Sequence, residues 1–120
     1  MASGADETAK GGNKMLNQVV LVGRLVTDLN KVETSNDETK IRLAIGRNFK
    51  NNDAKYETDF IECVIGKGLE ENLKTLCKKG SVVGVKGRLE ERQFIQEGHP
   101  IFTYSQMVAE KISFISGMKE

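Results

Sequence analysis

Within the stretch GRNFKNNDAKYETDFIEC, residues 46–63, three rings, Phe49, Tyr56 and Phe60, stand among Arg47, Lys50 and Lys55. The chain has no Trp, five Phe and two Tyr, so much of its aromatic surface is committed to one basic segment around the polar cluster Asn51, Asn52 and Asp53. A ring needed only for packing belongs among apolar neighbours. A ring interleaved with Lys and Arg instead matches what an unpaired nucleic acid presents, phosphates that attract cations and base faces that stack on flat apolar groups. The combination recurs in SVVGVKGRLEERQF, where Lys86, Arg88, Arg92 and Phe94 share one strand parity. Phe49, Phe60 and Phe94 are therefore candidate stacking platforms, and Arg47, Lys50, Lys86, Arg88 and Arg92 candidate phosphate contacts.

Other chemistries lack their residues. Cys63 and Cys77 form no CxxC, and the single His99 sits between Gly98 and Pro100 as a turn residue, so zinc-ligand and redox spacings are missing. No metal, cofactor or catalytic activity is expected. A nuclease would need clustered carboxylates or a His pair on the binding face, whereas the acids here fall mostly between the first two strands and in the helix. A net charge of +1 excludes a globally basic binder, but charge is segregated: Lys40, Arg42, Arg47, Lys50 and Lys55 face the single Asp53, while Asp28, Glu33, Asp37 and Glu38 face Lys31. There is no apolar run of about eighteen residues and no apolar core in the opening MASGADETAKGGNK, so neither a membrane span nor a secretory signal is expected and the protein reads as cytosolic.

The elements that must carry these residues follow from periodicity. Residues 1–14, rich in Gly, Ala and charge, read as a disordered leader, with Met15 as a second start. QVVLVGRLV is a β-branched run interrupted by Gly23, a first strand that bends there. TKIRLAIG alternates Ile41, Leu43 and Ile45 against Lys40, Arg42 and Ala44. KYETDFIECVI sets Ile61, Cys63 and Ile65 against Phe60, Glu62 and Val64, so the second and third strands form a hairpin from whose core face Phe60 is excluded. In GLEENLKTLCKKG the period changes: Leu69, Leu73, Leu76 and Cys77 define a short amphipathic helix with early acids, late lysines and Gly80 as its stop. The fourth strand places Val83, Val85 and Leu89 inward. After QEGHP, IFTYSQMVAEKISFI supplies a fifth whose register blurs.

Three strands, one helix and two strands make a mainly β chain with the layout of the five-stranded oligonucleotide-binding (OB-fold) barrel, its short helix between strands three and four. Phe49 leaves two readings. It shares the parity of Ile41 and Ile45, so it caps the core if the strand runs on regularly, and becomes a platform if a bulge or twist follows Gly46. Tyr56 reads as a hairpin packing residue, and Phe102, Tyr104 and Phe114 as core or interface.

MLNQVVLVGRL, TDFIECVIGK, CKKGSVVGVKGRLEERQF and TYSQMVAEKISFI, in that order, resemble the bacterial single-stranded DNA-binding protein family from Met15 to about Ile115. The resemblance implies an OB-fold domain over residues 15–116, a C-terminal remnant at 117–120, and a homotetramer that binds and protects single-stranded DNA with little sequence preference in replication, recombination and repair, in the bacterial cytoplasm with the nucleoid. It places Phe49, Phe60 and Phe94 at the family's main stacking positions and brings Arg24 and Lys67, with Arg47, Arg88 and Arg92, near its phosphate path. The chain departs from the family at Gly66, where a ring is usual, and in the acidic segment Asp28–Glu38. The family's long linker and acidic tip, through which partner enzymes are recruited, do not follow the barrel, where the chain stops at SGMKE; a shortened chain and a short paralogue both fit. Replication and repair proteins stay partners by resemblance, without that docking tail. The rival reading is a primosome-like accessory barrel that mainly docks other replication proteins.

Overall fold

A computed structural model of the chain describes residues 15–32 and 34–117. The leader expected over residues 1–14, Glu33 of the acidic segment and residues 118–120 of the expected remnant lie outside the described residues. The elements in chain order are β1 (Val19–Leu25), β2 (Thr34–Ser35), β3 (Glu38–Lys50), β4 (Tyr56–Gly66), α1 (Lys67–Leu76), β5 (Val82–Phe94) and β6 (Phe102–Ser116). The strands neighbour one another in the order β1-β5-β6-β4-β3, and β1 also pairs with β3, which closes the sheet. All pairings are antiparallel except β4 with β6. Five long strands closed in this order, with the helix between the third and fourth, form the expected OB-fold barrel. The two-residue β2 is an addition: Asn36 and Asp37 both take positive φ (55° and 63°), a two-residue turn that folds the acidic segment back onto β3.

The core is aliphatic throughout. Ile41 and Leu43 from β3, Cys63 and Ile65 from β4, Val83 and Val85 from β5, Leu25 from β1 and Leu73 from α1 are all essentially inaccessible, joined by Leu29, Met107 and Ala109. The period-two pattern of β3 thus converts directly into burial, each such side chain contributing about 1.5–3 kcal/mol on removal from water. Burial pushes the Cys63 thiol up to about 11, so this cysteine packs as a small apolar residue. Thr39, fully buried, donates from Oγ1 to Glu70 Oε1 at 2.7 Å and lies 2.8 Å from Thr34 Oγ1, tying the β2–β3 turn to the helix.

The helix ends earlier than its apolar spacing predicts. Cys77 is already extended (φ −132°, ψ 162°), so Leu76 is exposed and Lys78 and Lys79 lie in the turn beyond. β1 competes for this segment: Gly80 N–H donates to Leu25 O at 2.7 Å and Leu25 N–H donates to Ser81 O at 2.8 Å. Those bonds require the chain to leave the helix and cross to β1. Gly80 makes the turn at φ 97°.

Gly23 is where β1 passes from β5 to β3. Its partner on β5 is Val83, and the next residue, Arg24, already pairs with Ala44 of β3. A Cβ at position 23 would lie 2.6 Å from Ile45 Cγ1 and 2.8 Å from the Ala44 carbonyl oxygen, closer than real side chains approach. Gly23→Ala is accordingly expected to lower stability by about 1–3 kcal/mol, the usual cost of overpacking. Urea unfolding of the two proteins measures it; an unchanged midpoint would show that β1 reaches β3 without this close approach.

Candidate nucleic-acid interface

Beyond Gly46 the β3–β4 hairpin projects past the barrel. Gly46 pairs with Thr58 and Lys50 with Tyr56, so Arg47, Asn48 and Phe49 face Glu57 alone and the ladder is irregular there. The irregularity takes Phe49 out of the core pattern, and it is 66% exposed. Its core-capping alternative is thereby excluded. Tyr56 is exposed as well, with Lys50 Nζ 5.6 Å from the centre of its ring. Asn51 organises the tip: Oδ1 accepts from the N–H groups of Asp53 and Lys55 at 2.9 and 3.0 Å, and Nδ2 donates to Glu57 at 2.7 Å.

Phe60 stands on the polar side of β4, opposite Ala44 and 55% exposed, with the Arg42 guanidinium 5.6 Å from its ring centre. Across the sheet, Phe94 of β5 pairs with Phe102 of β6, the rings stacked at 5.1 Å and 19°. The next pair inward on the same face is Arg92 with Tyr104. An open groove of about 530 Å³ joins the two hairpins, with Lys40, Arg42 and Glu62 on one side, Arg92 and Tyr104 on the other, and the loop from Thr27 to Val32 above. Phe102, Tyr104 and Phe114 are all exposed, which excludes the core half of their core-or-interface reading. Every one of the five Phe and two Tyr lies at the surface, and no ring enters the core.

Arg92, Arg88 and Arg47 meet carboxylates. Arg92 forks onto Glu38 at 2.7 and 2.9 Å and reaches Glu90 at 3.0 Å. Arg88 lies between Glu90 and Glu110, and Arg47 holds Asp59 at 2.9 Å and Glu57 at 3.1 Å. Hydrogen bonds from Arg92 hold Glu38 and Glu90 below the usual carboxylate range, and one from Arg47 does the same for Asp59, so these acids stay charged at neutral pH. Arg24 points elsewhere, donating to Gly80 O at 2.6 Å. Lys67 opens α1, and Lys86 sits on β5 opposite Val20 and Lys111, both exposed and outside the groove. Of the sequence-derived candidates, the fold brings Phe60, Phe94, Arg88 and Arg92 to one surface and sets Phe49, Lys50 and Arg47 on the hairpin arm. Arg42, Lys40, Phe102 and Tyr104 join them without having been singled out as site residues. Their signal was present in the shared even parity of Lys40 and Arg42 with Phe60, and of Phe102 and Tyr104 with Phe94.

Residues 16–115 match the model of the Single-strand binding protein family. The chain belongs to this family. Among curated relatives it is 41% identical over 104 residues to the single-stranded DNA-binding protein of Oceanobacillus iheyensis, covering 84% of this chain and 64% of that one. It is 40% identical over 104 residues to single-stranded DNA-binding protein A of Bacillus subtilis, covering 84% and 60%. The chain thus spans somewhat under two thirds of the length of these two relatives. In architecture it is similar to a Plasmodium falciparum SSB in complex with ssDNA, with a TM-score of 0.68 at 19% identity over 88% of this chain and 99% of that one. The yeast mitochondrial protein Rim1 matches with a TM-score of 0.63 at 17% identity, over 87% and 100%. At these identities the likeness concerns the fold alone. Among the described residues no three His, Cys, Asp or Glu side chains are gathered to hold a metal ion, and no helix is long and apolar enough to cross a membrane.

The hairpin tip carries a local strain: Ala54 sits at φ 60°, a conformation disfavoured for any residue with a Cβ. Ala54→Gly is expected to stabilise the protein by about 0.5–1 kcal/mol, the left-handed penalty less the glycine entropy cost. A thermal melt checks this, and a lowered midpoint would mean that the tip turn does not need this backbone geometry.

Proposed function

We propose that this chain is a non-catalytic, largely sequence-independent binder of single-stranded DNA, acting in replication, recombination and repair in the bacterial cytoplasm. The observation that carries this reading is the placing of all the rings at the surface over an aliphatic core. A small domain that leaves its largest apolar side chains in water, interleaved with cations, forgoes several kcal/mol of burial per ring unless a ligand covers them. Phe49, Phe60 and Phe94 stack bases, the last backed by Phe102. Lys50, Arg47, Arg88 and Arg92 serve as phosphate contacts, joined by Lys40 and Arg42 at the groove and by Lys67 and Lys86 outside it, while Arg24 is committed to the Gly80 carbonyl. Bases are read by their faces, so sequence preference is weak, with a modest advantage for pyrimidine runs.

The working unit in this reading is a homotetramer built on residues 15–116. Val20 and Val22 on the outer face of β1 are exposed, and Ile115 lies beside them over Gly84. Such an apolar strip on a small barrel is a surface for association. One feature favours the rival accessory role: Gly66, at the end of β4, is exposed with open space around it, so no ring stands there to stack on.

Titration with oligo(dT) at several salt concentrations, with the assembly state followed by light scattering, separates the two readings. Phe60→Ala is expected to weaken binding by about 1–3 kcal/mol with little change in the slope of affinity against salt. Lys50→Ala is expected to reduce that slope by about 0.7, because one phosphate of the strand is no longer neutralised. Micromolar or weaker affinity in the unaltered protein, with a monomer in solution, would favour the accessory role. Unchanged affinity and a large fall in melting temperature for Phe60→Ala would make that ring a packing residue.

A further inference from the structure

On β5, Arg88 and Arg92 are shared among Glu38, Glu90 and Glu110, three carboxylates to two guanidiniums. On the hairpin arm Arg47 is held by Asp59 and Glu57. A surface built to attract any polyanion would leave its cations open and present net positive charge. Here the rings are open and three arginines, Arg47, Arg88 and Arg92, are occupied. Arg92 and Arg47 are held by paired parallel bonds, the geometry that a phosphate would otherwise use.

We infer, on the reading of the chain as a single-strand binder, that Glu38, Glu90 and Asp59 are specificity-determining residues. They withhold Arg92, Arg88 and Arg47 from ligands that offer phosphates alone, and so set the preference for single strands over duplex DNA. A duplex keeps its bases stacked inside, and to reach these arginines it must displace a carboxylate. That step exchanges one anion for another and brings little net gain. A single strand lays base faces on Phe60, Phe94 and Tyr104, and its flexible backbone reaches the remaining N–H groups of these arginines without displacing their carboxylates, so its affinity depends little on the acids. A rigid duplex must also hold its phosphates beside the displaced acids, whereas a flexible strand can turn its phosphates away, which penalises the wrong ligand more than it favours the right one. The lysines behave differently: Lys50 and Lys86 have no carboxylate partner among the described residues, so they attract either ligand.

Glu90→Gln removes the charge shared by Arg88 and Arg92 while keeping the side-chain shape, and Asp59→Asn does so at Arg47. Glu71→Gln, on the exposed side of α1, removes the same charge away from the groove. Affinities for oligo(dT) and for a blunt duplex of equal strand length are measured for all four proteins, with melting temperatures in parallel. Glu90→Gln and Asp59→Asn are each expected to tighten duplex binding about three- to tenfold and oligo(dT) binding less than about twofold, while Glu71→Gln leaves the ratio unchanged. Equal tightening of both ligands, no tightening, or the same shift in Glu71→Gln would overturn the inference. Two variants at separate places keep the test open if one of them does not fold. Failure of the unaltered protein to bind oligo(dT) at all would sink the parent reading, and this one with it.

Discussion

A sheet of five strands closes on itself only if one strand serves two neighbours, and in this chain that strand is β1. It runs beside β5 from Val19 to Arg24, then turns across Gly23 so that Arg24 and Leu25 meet Ala44 and Leu43 of β3. The rest of the barrel depends on that crossing. It brings Leu25 over Ile41 and Leu43, seals the aliphatic core, and draws residues 80 and 81 out of the helix by hydrogen bonding them to Leu25. Because the crossing requires backbone to lie within van der Waals contact of backbone, the position tolerates no side chain.

Closure at this size also decides what stays outside. A barrel lined by Ile, Leu, Val, Cys, Met and Ala is filled by those side chains, and the rings go to its outer surface, as Phe60 and Phe114 do, or to where the strands outrun the barrel. The β3–β4 and β5–β6 hairpins are long enough to extend past the closed region, and their ends carry Phe49 with Tyr56 and Phe94 with Phe102. Packing economy inside and exposed aromatic surface outside are two results of one geometry.

Strand parity made most of this legible in the residues. Ile41, Leu43, Cys63, Ile65, Val83 and Val85 alternate cleanly and are all buried, and Phe60 and Phe94 lie off that pattern and are exposed. Parity failed where the ladder is irregular, and also at two regular positions: Leu89, expected inward, is 45% exposed, and Val64, expected outward, is buried. Phe49 lies beyond the break after Gly46. The pattern of β6 blurs after Gln106: Gln106 and Met107 are adjacent and both buried, and further on β6 gains residues opposite β5 between Val82 and Val83 and between Lys86 and Gly87. The ion pairs were hidden for another reason. Arg92 and Glu38 are 54 positions apart, and no local pattern links them until β5 and β3 are brought over the same groove. The leucine spacing of the helix continues to Leu76 and Cys77, but tertiary hydrogen bonds to β1 end it sooner.

The one parallel seam has a mechanical consequence. β3 with β4, and β5 with β6, are joined by long antiparallel ladders, whereas β4 and β6 share only the pairs Cys63 with Met107 and Val64 with Val108. Gln106 lengthens that seam slightly, its side-chain amide donating to Glu62 O at 3.3 Å. The β1–β3 closure is equally short, so the arms are welded at two places by two pairs each, and local opening begins at these seams, where the hydrogen bonds are fewest. Separation of the arms is therefore a softer coordinate than bending of either ladder. The groove between them can widen or narrow while each hairpin keeps its own rings in fixed register.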